Sequence, residues 1–178
     1  MKTDIKQHDI TDCAAASICS IARYYGSDIP ITAIREASGT DQLGTSVKGI
    51  IDACPSLGFR AAGYKSADRD PEMLRGIGAP VILHTVNRKG DLHFVVLYGI
   101  RRDKATVMDP SQGRHIKVRL SDLAKEWSGI VITLTPDPGR ATQNTTKPKS
   151  FFFSCISILA KSRSDILLSL PGVVLMIL

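Results

Sequence analysis

The chain has 178 residues, 43% of them hydrophobic and 22% charged, with a mean hydropathy of +0.03 and a formal net charge of +6. That is enough for one domain with a sizeable core, and it excludes both a disordered chain and a polytopic membrane protein. The basic excess is uneven: residues 1–136 carry 18 basic and 15 acidic side chains, and residues 137–178 carry five and two. No basic stripe with interleaved aromatics runs through the body, so nucleic acid is not an expected partner.

Helical patterns come first. TDCAAASICSIARYYG predicts a helix that Thr11 or Asp12 caps and Gly26 ends, with Ala15, Ile18, Ala22 and Tyr25 as its buried stripe. SDIPITAIREASG predicts a shorter helix with Pro30 in its first turn and Gly39 after its end. TSVKGIIDACPSLGF predicts a third, capped by Ser46 and stopped or kinked by Pro55. After Gly58 the texture changes to short β-rich runs: FRAAGYK, PVILHTV, LHFVVLYGI, KATVMD and RHIKVRL. SDLAKEW predicts a small capped helix and GIVITLTP a last strand. Helices followed by strands imply an α+β fold, a helical layer packed on a mostly antiparallel sheet.

The stretch at 137–150 is polar, contains proline and lacks periodicity, as a linker does. Beyond it, residues 151–178 differ in kind. The run from Ile166 to Leu178 is 13 residues long and almost wholly apolar, whereas a membrane span needs about 20. One reading is a C-terminal helix docked on the domain. The favoured one is a truncated membrane segment, since KSRS flanks it as cytoplasmic flanks do.

The four cysteines, at 13, 19, 54 and 155, show no zinc-site spacing, so no metal is expected. The opening MKTDIKQHD has no apolar signal core, which points to a reducing, cytosolic location with free thiols. Cys13 falls near the first turn of the first helix, where N–H groups and the positive dipole end favour a thiolate and hence a nucleophile. The bland alternative is a small buried hydrophobe. Cys19 and Cys54 lack that advantage and read as packing residues.

A thiol nucleophile needs a base, and the candidates are His8, His84, His93 and His115. His93 opens a strand just after the turn NRKGD, where it can face a cleft while the strand holds it rigid; any one of the four could instead be a satisfied surface residue. Asp109, at the end of KATVMD, is the candidate to orient the ring. Antiparallel pairing of HFVVLYGI with KATVMD about a turn near 102 brings His93 and Asp109 within a few residues of opposite each other. Adjacent strands lie about 4.8 Å apart, so a hydrogen bond is within reach. Asp-Pro is equally a common turn former. Gln7, six positions before Cys13, offers a side-chain N–H that, with the backbone N–H of Cys13, could stabilise an oxyanion.

QHDITDCAAASICSIARYYG, GTSVKGIIDACPSLGF, HFVVLYGI, VMDPSQGR and WSGIVITL, in this order and spacing, resemble the double-glycine leader peptidase domain at the N-terminus of bacteriocin- and peptide-exporting ATP-binding-cassette (ABC) transporters. The resemblance covers about residues 5–136 and implies a papain-like cysteine peptidase fold with Cys13 as nucleophile, His93 as base, Asp109 as its partner and Gln7 as oxyanion donor. It departs at Ala14, where the family usually has glycine; a helix start accommodates the extra methyl group. The implied substrate is a precursor peptide cut after a leader ending in Gly-Gly or a similar small pair, with the leader docked as an amphipathic helix. The implied organisation is a peptidase domain at 1–136, a linker at 137–150, and a membrane-surface helix with a truncated first transmembrane helix at 151–178. The implied location is the cytoplasmic face of the bacterial inner membrane. The rest of an ABC transporter, dimeric when complete, would be the partner. No cofactor is implied for the peptidase; ATP belongs to the transporter part, and no Gly-rich phosphate loop is present. The chain would thus be a fragment or a truncated gene product. The alternative the resemblance leaves open is an inactive peptidase-like domain that only binds export cargo.

Overall fold

A computed structural model describes residues 2–87 and 89–139. The expected linker from residue 140 onward, the apolar segment at 151–178 and Cys155 lie outside them.

The first helix, α1, spans Cys13–Tyr24, and every residue from Cys13 to Ala22 is buried. The expected four-residue stripe is therefore too narrow: with small side chains at Ala14, Ala15 and Ala16, the helix is enclosed on all sides. Past its end, Gly26 adopts φ +86° and the Ser27 N–H reaches back to the Ala22 carbonyl (2.9 Å). Its start corrects the expected cap. A 3-10 turn at Ile10–Asp12 leads into it, and Asp9, rather than Thr11 or Asp12, caps that turn. The Asp9 carboxylate accepts from the Ile10 N–H (2.6 Å) and the Asp12 carboxylate from the Asp9 N–H (3.0 Å). Asp12 holds the N-cap position of α1 with no side-chain bond to it, because its carboxylate is turned towards Arg35.

The second helix, α2, spans Ile31–Ser38 behind Pro30 and ends at Gly39, which is left-handed. The third, α3, spans Val47–Ala53, with Ser46 Oγ accepting from the Gly49 N–H (3.0 Å). A side chain on Gly49 would place its Cβ 2.6 Å from the Ser38 carbonyl oxygen, so glycine is what lets α2 and α3 approach this closely. Pro55 falls in a 3-10 turn at Cys54–Leu57 that ends α3, as expected.

The six strands are β1 (Phe59–Lys65), β2 (Val81–Val86), β3 (Leu92–Arg101), β4 (Lys104–Asp109), β5 (Arg114–Arg119) and β6 (Trp127–Pro136). They form one sheet in the order β1-β6-β2-β3-β4-β5, antiparallel throughout. Alternate residues serve two cores. Ile82, Phe94, Val96, Met108, Ile132 and Leu134 pack with α1, α2 and α3. Val81, Leu83, Val95, Leu97, Val107 and Val131 pack under two short helices, α4 (Pro71–Arg75) and α5 (Leu120–Glu126). Both faces are covered, which is why these strands read as continuous apolar runs. Replacing a fully enclosed side chain such as Ile18 or Ile132 by alanine should cost about 2–5 kcal/mol. Helix α4, capped by Asp70, has no counterpart among the predicted elements. Helix α5 begins one residue before SDLAKEW, at Leu120, so Ser121 lies inside it and no side chain caps it.

Candidate active site

Helix α1 meets the sheet at β3, where Ser17 Oγ donates to the Phe94 carbonyl (3.4 Å). Ser17 lies about one turn after Cys13, and Phe94 follows His93, so this contact sets the thiol beside the imidazole. Cys13 is the first residue of α1 and 7% exposed. The neighbouring Ala14 methyl is fully enclosed in the helical core, so packing absorbs it.

His93 is the second residue of β3, and its Nε2 lies 2.9 Å from Asp109 Oδ1. An ionised carboxylate only accepts, so Nε2 carries the hydrogen. Nδ1 is left without a hydrogen, and Cys13 lies near enough to the ring to raise its pKa. Burial alone would lower the His93 pKa. The hydrogen bonds with Asp109 and Cys13, and the charges of both, outweigh it and raise the value from 6.5 to about 9.

The two residues lie two positions from opposite each other, within the expected few. The β3–β4 turn is Arg102-Asp103, close to the expected midpoint, and a bulge at Tyr98 shifts the register by one residue, which brings Asp109 closer to His93. Val96 then pairs with Met108, so Asp109 points to Val95, and His93 lies two residues further along on the same side. Such diagonal neighbours are about 7–8 Å apart at Cα, a gap that an imidazole and a carboxylate close between them.

Asp109, the last residue of β4, is held from four directions. Its Oδ1 accepts from His93, from the Ser111 N–H (2.9 Å) and from Ser111 Oγ (2.7 Å), and its Oδ2 from Gln112 Nε2 (2.9 Å). Burial would raise its pKa, but these bonds prevail and hold the carboxyl well below its ordinary 3.8. Asp109 is thus both turn former and imidazole partner. Ser111 and Gln112 were overlooked as donors, although the segment DPSQG, with its polar residues just after a strand end, marks them. Gln7 reaches the same turn through its backbone, donating its N–H to the Pro110 carbonyl (3.0 Å).

Asp12, directly before the thiol, is fully buried and paired with Arg35 of α2 (3.2 Å). No local pattern could have revealed this contact between residues 23 apart. The remaining histidines lie elsewhere. His84 Nδ1 meets Ser128 Oγ (2.8 Å), with its pKa lowered by burial; His115 meets Asp4; His8 is exposed. Cys19 and Cys54 are buried, and burial raises both thiols, Cys54 to about 12. A cavity of about 360 Å³, lined by Ile5, Lys6, His8, Cys19, Arg23 and Ile31 among others, does not include Cys13, His93 or Asp109. Among the described residues no three His, Cys, Asp or Glu side chains converge to hold a metal ion. The arrangement can therefore perform nucleophilic chemistry at sulfur with proton transfer by an oriented imidazole.

Comparison with known proteins points the same way. The family model described as the peptidase C39 family matches residues 2–139. The lactococcin-G-processing and transport ATP-binding protein LagD of Lactococcus lactis subsp. lactis is 34% identical over 164 residues, which is 92% of this chain and 23% of that protein. The pediocin PA-1 transport/processing ATP-binding protein PedD of Pediococcus acidilactici is 31% identical, over 73% of this chain and 18% of that protein. The chain thus spans about a fifth of the length of these relatives. The peptidase domain of Streptococcus ComA, a bi-functional ABC transporter of a quorum-sensing pathway, superposes with a TM-score of 0.68 at 31% identity, covering 75% of this chain and 97% of that one. A double glycine motif protease from an AMS/PCAT transporter, solved with its leader peptide, gives a TM-score of 0.66 at 28% identity, covering 74% and 89%.

Proposed function

Since the chain belongs to the peptidase C39 family of cysteine peptidases, we propose that it removes double-glycine-type leader peptides from the precursors of bacteriocins or other exported peptides, as the N-terminal part of an ABC exporter. The fold is papain-like, as the sequence leads one to expect. The observation that carries the reading is the 2.9 Å bond from His93 to Asp109, with Cys13 near the ring at the start of a helix.

In the proposed reaction Cys13 Sγ attacks the carbonyl carbon of the second small residue. The proton shared between Sγ and the imidazole stays on His93, which the Asp109 carboxylate favours. The Gln7 amide and the backbone N–H of Cys13 stabilise the developing oxyanion. His93 then gives its proton to the leaving amine as the C–N bond breaks. A thioester remains, and water, deprotonated by His93, releases the leader and frees Sγ. The chemistry uses no cofactor; ATP enters only with the transporter portion. The proposed setting is the cytoplasmic face of the bacterial inner membrane, with the 151–178 segment entering the bilayer and a dimeric transporter as partner.

The test incubates the chain and its Cys13→Ser variant with a synthetic precursor carrying a Gly-Gly leader, and follows both products by mass spectrometry. The parent should cut after the small pair and the variant should not. Equal cutting by both, or binding by both without cutting, would overturn the reading.

A further inference from the structure

Ahead of the capped turn that leads to Cys13, the N-terminal segment crosses the β4–β5 turn that carries Asp109. It is fastened there along its length. Asp4 Oδ1 accepts from both the backbone N–H of His115 (3.0 Å) and its Nδ1 (2.7 Å). The His115 side-chain bond holds the Asp4 carboxyl below its ordinary 3.8. One residue earlier, the Thr3 carbonyl accepts from Ser20 Oγ (2.6 Å), and Ser20 Oγ lies 2.7 Å from Tyr98 Oη. The Tyr98 ring packs 4.6 Å from that of His115. The segment is thus tied to β5, to β3 at its bulge, and to α1.

The next contacts are closer still. A Cβ on Gly113 would fall 2.6 Å from Lys6 Cβ, and Gly113 itself has φ +64°. Both facts favour glycine there. Gln7 then donates its backbone N–H to Pro110, the residue after Asp109. The Gln7 Oε1 atom is buried and has no hydrogen-bond partner among the described residues. No described residue therefore fixes the amide through its oxygen, and the backbone is left to do the aiming.

We propose that the segment from Thr3 to Gln7 is a strap that positions the Gln7 amide for oxyanion binding, with Asp4, His115 and Gly113 as its positioning residues. The proposal rests on Gln7 being the oxyanion donor. A displacement of about 1 Å at such a donor lowers the rate by about 10²-fold, and the loss falls on the transition state rather than on the bound substrate. Loosening the strap should therefore lower kcat and leave KM alone.

The test uses the full chain and a leader peptide ending in Gly-Gly joined to aminomethylcoumarin. Gly113→Ala and Asp4→Ala should each lower kcat about tenfold or more, with KM within about twofold. Asp4→Asn, which keeps an acceptor for His115, should retain kcat within about twofold. In a Gln7→Ala background, Gly113→Ala should have less than a twofold further effect. Alkylation of Cys13 by iodoacetamide, which forms no oxyanion, should proceed at the parent rate in Gly113→Ala.

Multiplicative effects of Gln7→Ala and Gly113→Ala on kcat would overturn the strap and leave Gln7 as the donor. A matching fall in alkylation rate would also overturn it, because the strap would then act on the thiol. A normal kcat in Gln7→Ala would sink the donor assignment, and the strap with it. Where Gly113→Ala fails to fold, Asp4→Ala and Asp4→Asn complete the same cycle against Gln7→Ala.

Discussion

The two ends of the β3–β4 hairpin are built on opposite plans. At one end the Asp109 carboxylate accepts from His93, Ser111 and Gln112, and the adjacent carbonyl of Pro110 takes the Gln7 N–H. At the other, Arg101 pairs with Lys104 across β3 and β4, and Lys104 with Arg119 across β4 and β5. Arg101 and Lys104 are exposed there without an acidic partner among the described residues, while Arg119 finds Asp122 (2.8 Å). Like charges directly opposite each other are unfavourable by tenths of a kcal/mol, tolerable where water screens them. The same strands therefore carry dense, directional bonding where an atom must be placed, and loosely held charge where it need not be.

That contrast can be tested by cutting at both ends. Asp109→Ala should have the largest effect, lowering kcat/KM by about 10³–10⁴-fold through loss of the oriented ring. It should also destabilise the domain, since the donors of Ser111 and Gln112 lose their acceptor. Steady-state kinetics and urea melts read these separately.

Next comes pH. The raised His93 pKa contributes stability that is complete below about 6.5 and is lost as the pH climbs through about 9. The urea midpoint should fall across that window in the parent and stay level in His93→Gln, and the alkaline limb of activity should lie near 9. The lowered Asp109 pKa contributes stability that is present above 3.8 and disappears only as the pH falls well below that value. A midpoint that dropped on acidification through pH 5 in the parent, but not in Asp109→Asn, would contradict the bonding at this end.

Smaller again is Gln112→Ala. It removes one of four donors to Asp109, so about 0.5–1.5 kcal/mol of stability and a severalfold loss of kcat are expected. At the other end, Lys104→Ala should change stability by less than about 0.5 kcal/mol and leave kcat as it was. A larger effect there would erase the contrast.

What could be read from the sequence divides along a similar line. Strands and the first three helices announce themselves through periodicity, Gly39, Ser46 and Pro55, all of which act locally. The approach of His93 to Asp109 was legible because a two-residue turn separates their strands, so register follows from counting. The count holds to within two residues, and the Tyr98 bulge, which leaves no mark in the sequence because tyrosine is at home in either register, moves Asp109 one position closer to His93. Helix α4 escaped because five residues carry no period. The Asp9 cap escaped because Asp12, the more obvious candidate, is drawn away by Arg35, a partner that only the folded chain brings near. The Ser111 and Gln112 donors, by contrast, are marked by DPSQG itself, since an aspartate at a turn accepts from the residues just after it.

The complete burial of α1 from Cys13 to Ala22 has a bearing on how the domain opens. Beyond Cys13, which opens the helix and keeps a small exposed surface, the segment is packed on every side and has no route to solvent short of dismantling the core. The amides from Ser17 to Ala22 should exchange with deuterium only through unfolding of the whole domain, while those of α4 exchange by local fraying. Cys13, the proposed nucleophile, then sits at the edge of the slowest-exchanging part of the molecule, and any denaturant too weak to unfold the domain should leave its alignment with the imidazole untouched.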